Sequence, residues 1–362
     1  MITTAPLPMG LLAGVWRHAS PDQATAPWRR NGDDALMLSR SAWSLAALAQ
    51  VIATERGHAA RVLLPAWFCG QSLLPLRAAG AQLSFVPVDA HGVPQWPAHG
   101  DADMIVAVHS FGCPTDLSAA VALRARTGAL LIEDCAHVLH PAPGMGEVGD
   151  AVLYSPHKTL GLPEGAVLVT RQPGLSDRLR AVLGDLPPAP SPARWAAKRM
   201  VQRLIPDSLR PRLPMGGPPD FLADPPVGEA APLTGASALS LSLMAGACMA
   251  TQAAARQRNA TALRTALAGL PGWAPFFAHD GPAPYRFALL CDDAGVAETR
   301  YARLRQFHLP VESWPDMVPE VAASPKEFGH ALDLRRRIVL LPVHASLPAG
   351  YEHAYAEALH AG

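Results

Sequence analysis

The chain has 362 residues, 49% of them hydrophobic and 17% charged, enough apolar mass to bury a large core. Its 30 Lys and Arg balance 30 Asp and Glu, and zero net charge excludes a dedicated nucleic-acid binder, which carries a basic footprint. Five scattered cysteines (Cys69, Cys113, Cys135, Cys248, Cys291) exclude a disulfide scaffold and show no metal-ligand spacing, as expected of reduced thiols in a cytoplasmic protein without a metal.

Met1 to Trp16 lacks a basic start and a cleavage site, so no signal peptide is expected. Arg40 to Arg56 contains an amphipathic helix, and Arg61 to Pro65 is a short apolar strand. Gln71 to Ala79 reads as helix and Gln82 to Val88 as strand. Met104 to His109 is a buried strand, Leu117 to Arg126 a helix, and Ala129 to Asp134 a strand with carboxylates at its end. This rhythm predicts an α/β fold with a mostly parallel sheet between helices, whose ligands lie beyond the carboxyl ends of the strands.

Residues 187–226 are dense in proline and glycine and hold Arg194, Lys198, Arg199, Arg203, Arg210 and Arg212. They fit a surface linker with a solvated basic helix; the functional alternative is an excursion that closes over a site. Ala230 to Ala255 carries no charge, long enough to raise a membrane span. It is rich in Ser, Ala, Gly and Thr, so a buried helix at a domain or subunit interface is expected and no membrane contact. Ala253 to Leu270 reads as a polar-faced helix, and Tyr285 to Cys291 opens a smaller α/β unit. The division predicted is a large domain over 1–255 and a small one over 256–362.

The strongest chemical signal is Tyr154-Ser155-Pro156-His157-Lys158-Thr159-Leu160-Gly161, set between two strand-like runs. A lysine in such a loop is a poor solvated surface charge, and lysine forms Schiff bases with carbonyls. Upstream, Asp134 ends a buried strand in Ile132-Glu133-Asp134-Cys135-Ala136-His137. An enzyme using pyridoxal 5'-phosphate (PLP) needs such a carboxylate to keep the pyridine nitrogen protonated.

In that order the blocks resemble fold-type I PLP enzymes, and above all the DegT/DnrJ/EryC1/StrS family of sugar aminotransferases. Ser39-Arg40-Ser41-Ala42 resembles its phosphate motif, and Val62-Leu63-Leu64-Pro65 with Gly80-Ala81 its strand-loop-helix signature. Val108 to Asp116, Ile132 to His137, Gly146 to Asp150 and Val339 to Leu347 follow at suitable distances. The resemblance implies a large PLP-binding domain, a small C-terminal α/β domain and a homodimer. It also implies that Lys158 forms the Schiff base, Asp134 pairs with the pyridinium nitrogen, and His137 lies near the phenolic oxygen. Ser155, Ser41 and the N–H of Ala42 then hold the phosphate, as suits a helix start. Phe68 and Cys69 stand where the family covers the ring face with an aromatic. Two departures are plain: Ser155 and Lys158 are closer together than in the family, and its Asn-containing loop is missing.

The reaction implied is transfer of an amino group from a donor such as glutamate to a keto group on a nucleotide-linked sugar. Lysine at 158 disfavours the family's dehydratase branch, where histidine stands. A class V-like lyase or desulfurase, suggested by the compact Ser-Pro-His-Lys, and a non-catalytic PLP-binding scaffold remain as alternatives. His109 and His344 read as strand-end histidines satisfied by backbone, Cys135 as a small buried residue, and Arg286 as facing water or an acidic substrate group.

Overall fold

The computed structural model describes residues 18–204, 220–223 and 228–360. Met1 to Trp16, with its leader reading, and Arg210 and Arg212 lie outside the described residues, as does the side chain of Arg203.

Seven strands form the main sheet: β1 (Asp34–Leu38), β2 (Arg61–Pro65), β3 (Gln82–Val86), β4 (Met104–Val108), β5 (Leu130–Cys135), β6 (Ala151–Tyr154) and β7 (Ala166–Thr170). Their order is β1-β7-β6-β5-β4-β2-β3. The run β6-β5-β4-β2-β3 is parallel throughout, while β7 runs antiparallel to both β6 and β1. Central strands such as β6 and β7 are buried at every position, which is why they read as unbroken apolar runs.

Helices α1 (Pro21–Thr25), α2 (Ala42–Arg56), α3 (Leu74–Ala78), α4 (Ser118–Thr127), α5 (Pro156–Thr159), α6 (Leu175–Leu183) and α7 (Ala193–Leu204) accompany this sheet. α2 buries Leu45, Leu48, Val51 and Ile52, and it stops at Gly57, whose φ of 69° closes the last turn through its N–H to Ala53.

The uncharged stretch is not one buried helix. Residues 230–237 are non-helical, and α8 (Ala238–Ala245) meets α9 (Met249–Ala266) at a bend of 77°. Leu243 and Met244 are buried, but Ala238, Ala245 and Cys248 are exposed. Gly246 and an N-cap-like Cys248 break the helical hydrogen bonding that the composition alone left continuous. No single helix among the described residues is long and apolar enough to cross a membrane.

The second sheet is antiparallel: β8 (Trp273–Pro275), β9 (Arg286–Cys291), β10 (Glu312–Ser313) and β11 (Ile338–Pro342), in the order β10-β11-β9-β8. Helices α10 (Ala294–Gln306), α11 (Pro319–Ala322), α12 (Gly329–Arg337) and α13 (Tyr351–His360) surround it. Position 255/256 lies inside α9, so this helix runs through the point where the sequence reading divides the chain. One hydrophobic core contains Leu48, Val62 and Trp67 together with Trp314, Val318 and Leu340, and thus joins the two sheets.

Candidate active site

β2, β4, β5 and β6 run in one direction, so the loops that leave their carboxyl ends gather at one edge of the sheet. β1 points the same way through its pairing with β7, and brings Ser39, Arg40 and Ser41 to that edge. β6 ends at Tyr154; Ser155 follows, and Pro156 starts the single turn of α5 that carries Lys158. Proline suits this first position because its missing N–H would have no helical acceptor. The Lys158 N–H donates to Ser155 O at 2.9 Å and that of Leu160 to Pro156 O at 2.7 Å.

These loops enclose a cavity of about 750 Å³, within the range of roughly 300–1,000 Å³ usual for small-molecule sites. The first sheet contributes Ser41, Ala42, Cys69, His137, His157 and Lys158 to its wall. The second sheet and its approach contribute Tyr285, Glu312 and Trp314. Three of the expected site residues stand off the wall. Phe68 is 4% exposed and packs in the core. Ser155 is fully buried and reaches the cavity through Ser41, whose hydroxyl accepts from its own at 2.5 Å. Asp134 is 8% exposed, at the end of β5.

Asp134 accepts the Ala136 N–H on Oδ1 at 2.8 Å, and its Oδ2 receives no hydrogen bond from the described residues. Burial raises its carboxyl above the ordinary value, against the opposing charge of Lys158 and the Ala136 N–H. A buried carboxyl with a vacant oxygen fits a cationic ring N–H. His137 accepts the Phe111 N–H on Nδ1 at 3.3 Å, so its proton sits on Nε2. Burial, then Lys158 and Arg286, push its pKa well down, and the ring stays a neutral donor. Such a donor fits a phenolate oxygen. His157 is likewise pushed down to about 3 by burial, Arg40 and Lys158, and its Nδ1–H donates to Gly165 O at 3.1 Å.

Ser41 precedes the first turn of the 15-residue helix α2, whose opening N–H groups and dipole favour an anion. The hydroxyls of Ser41 and Ser155 and the half-buried Arg40, on the same wall, complete a cradle for a phosphate. Cys69 lies opposite. Burial and the Asp316 carboxylate push its thiol up, so it is no thiolate nucleophile. The loop is fixed from across the cavity, because Asp316 accepts the N–H groups of Gly70 and Gln71 at 3.2 and 2.9 Å.

Several participants had no local signal in the sequence. Phe111 is buried with φ 55°, a left-handed backbone unusual for a bulky side chain. Its N–H holds His137 and its C=O accepts the Tyr285 N–H at 2.7 Å. The rings follow: His137 stacks on Tyr285 at 4.4 Å and 9°, and on Phe111 at 5.7 Å and 11°. Trp314 stacks on Trp67 at 4.4 Å. The adjacent Gly112 gave the only hint, since a Cβ there would lie 2.9 Å from Ala283 O. Arg286 does not face water: it is 6% exposed, pairs with Glu312 at 2.5 Å and lies 4.0 Å over the Tyr285 ring.

His109, Glu133 and Cys135 bring ligand atoms within 4.8 Å of one another. The carboxylate and the imidazole are already engaged. Glu133 Oε1 accepts from Val148 and Gly149, and Oε2 from Gly146 and His109. His109 Nδ1 accepts the backbone N–H of Thr115 at 3.1 Å, the kind of partner expected of it, and the Glu133 carboxylate adds a side-chain partner at Nε2. This group fastens a loop. His344 is buried just after β11, as a strand-end histidine should be.

Residues 96–185, which hold Asp134, His137, Ser155 and Lys158, match the DegT/DnrJ/EryC1/StrS aminotransferase family. Aminotransferase TlmJ from Streptoalloteichus hindustanus is similar over 100% of this chain and 98% of its own, with 19% identity and a TM-score of 0.73. Helicobacter pylori PseC, an aminotransferase involved in the biosynthesis of pseudoaminic acid, is similar over 100% of this chain and 99% of its own, with 12% identity and a TM-score of 0.71. A DegT DnrJ EryC1 StrS aminotransferase from Brucella abortus covers 97% of this chain with 94% of its own, at 16% identity and a TM-score of 0.68. The architecture is that of the fold-type I PLP transferases. Residues 96–185 thus resemble the DegT/DnrJ/EryC1/StrS aminotransferase family, and the chain shares the fold of a solved aminotransferase of that description over nearly its whole length.

Proposed function

We propose that this protein is a PLP-dependent aminotransferase that delivers an amino group to a keto carbon on a nucleotide-linked sugar. The observation that carries the reading is Lys158 on the wall of a 750 Å³ cavity that also presents a phosphate cradle, beside a buried Asp134 with a vacant oxygen. Bound PLP supplies an electron sink and a temporary carrier for the amino group. The residues of this chain supply the rest. Asp134 Oδ2 would take the ring N–H, His137 Nε2–H would donate to the ring oxygen, and Ser41, Ser155 and the Ala42 N–H would hold the phosphate. Lys158 Nζ would take the proton from the donor's α-carbon as general base and return it as general acid.

Glutamate is the donor proposed, and a homodimer in the cytoplasm the working form. PseC and the similar sugar aminotransferase CalS13 from Micromonospora echinospora support a sugar acceptor, as does the match over residues 96–185. The desulfurase alternative needs a reactive thiolate, and the raised thiol of Cys69 weighs against it.

The test is direct. Protein mixed with PLP should gain a visible absorbance, and borohydride should fix the cofactor on Lys158, as read by peptide mapping. Glutamate should then yield pyridoxamine phosphate, and keto-sugar nucleotides should regenerate PLP where simple keto acids other than 2-oxoglutarate, the donor's own product, do not. A protein that takes up no PLP sinks the reading.

A further inference from the structure

Helix α5 has only four residues, Pro156–Thr159, and one isolated turn is too short to hold its shape. His157 ties it to Gly165 O, and a second support comes from Arg256, about 100 positions along the chain on α9. Arg256 is 1% exposed. Its Nη2 donates to the carbonyl of Thr159, the residue after Lys158, and its Nη1 donates to Pro284 O at 3.1 Å. No carboxylate among the described residues pairs with it, and its buried Nε meets no acceptor. Burial, then Arg286, lowers its pKa to about 10. An unpaired buried guanidinium costs free energy, which only well-placed hydrogen bonds offset.

The two carbonyls it holds are informative. Thr159 fixes the turn that presents Lys158, and Pro284 fixes the entry to Tyr285, whose ring stacks on His137. Phe111 grips the same entry from the other side through the Tyr285 N–H. We propose that Arg256 is a positioning residue that clamps the Lys158 turn to the Tyr285–His137 pair, fixing the amine relative to the groups that flank the bound ring. The inference rests on the PLP reading above. Lysine cannot replace this fork, because one ammonium does not present two coplanar donors to two separate carbonyls.

The experiment uses the full chain as wild type, Arg256→Met, Arg256→Lys and Arg256→Ala. Three readouts are taken: PLP affinity by titration, the pH midpoint of the cofactor's visible absorbance, and the fraction borohydride fixes on Lys158. The unfolding midpoint of each cofactor-free variant is measured alongside. Arg256→Met should bind PLP at least tenfold more weakly, shift the pH midpoint and fix less cofactor, while Arg256→Lys recovers little. Added guanidinium ion should restore fixation in Arg256→Ala where methylammonium does not. Wild-type affinity and midpoint in both Arg256→Met and Arg256→Lys overturn the inference. If Arg256→Met does not fold, Arg256→Lys decides, and wild-type values there overturn it too. Wild-type protein that fixes no PLP overturns the proposed function, and this role with it.

Discussion

At the scale of single residues, Asp134 has the most sharply defined task. It holds one oxygen against the Ala136 N–H and offers the other to the site, while burial resists its ionisation. A cationic ring nitrogen reverses that resistance, and losing one member of a buried charge pair costs about 3 kcal/mol. Asp134→Ala should therefore lower turnover by on the order of 100-fold, with the cofactor-free unfolding midpoint and far-UV dichroism unchanged. Equal turnover would remove it from this role. Lys158→Ala should lose roughly 10²–10⁴-fold in proton transfer and all borohydride fixation. Lys158, Asp134, His137 and Ser155 stand out in the sequence as candidates because they sit in short ordered motifs at strand ends. Phe111 and Arg256 do not. A left-handed φ and a hydrogen bond from α9 to Thr159 leave no trace in local spacing.

At the scale of elements, the loop of residues 146–149 shows how a buried carboxylate organises backbone. Burial disfavours the Glu133 charge, but His109 and the N–H groups of Gly149 and Val148 outweigh it and hold the carboxyl below its ordinary value. Gly146 is required there, with φ 71° and the Tyr154 hydroxyl 2.1 Å from any added Cβ. Since the folded-state pKa is depressed, the stability Glu133 contributes is complete above the ordinary carboxylate range and is lost as pH falls through the folded value. Glu133→Gln should cost about 3 kcal/mol at neutral pH and flatten the acid limb of the stability curve. A curve parallel to wild type would show that the charge does nothing there. Strands such as β4 and β5 matched their sequence reading to within a residue at each end because apolar runs with few polar interruptions mark burial on both faces. β1 went unread: it starts at Asp34 and is a five-residue strand that, among the described residues, pairs in the sheet with β7 alone. The stretch 230–255 misled for the opposite reason, since small uncharged residues fit a bent exposed corner as well as a buried helix.

At the scale of the molecule, the cavity is lined from both sheets, so an occupant would meet both. Asp316, from the segment after β10, caps the Cys69 loop of the first sheet, and the Trp67–Trp314 stack closes the core behind it. A ligand that binds only the folded form stabilises it by mass action, and PLP at about 100 times its Kd adds about 2.7 kcal/mol. Because the site needs both sheets, that stabilisation should reach the whole chain. Loss of cofactor absorbance and loss of far-UV dichroism should then coincide in one transition that moves up with PLP concentration. Asp316→Ala removes the strap between the Cys69 loop and the second sheet. It should cost about 1 kcal/mol, as the loss of a capping carboxylate does, and reduce the PLP-dependent rise more than the cofactor-free midpoint. If instead the second sheet melts first while the absorbance persists, the first sheet alone holds the cofactor and the coupling between the two is absent.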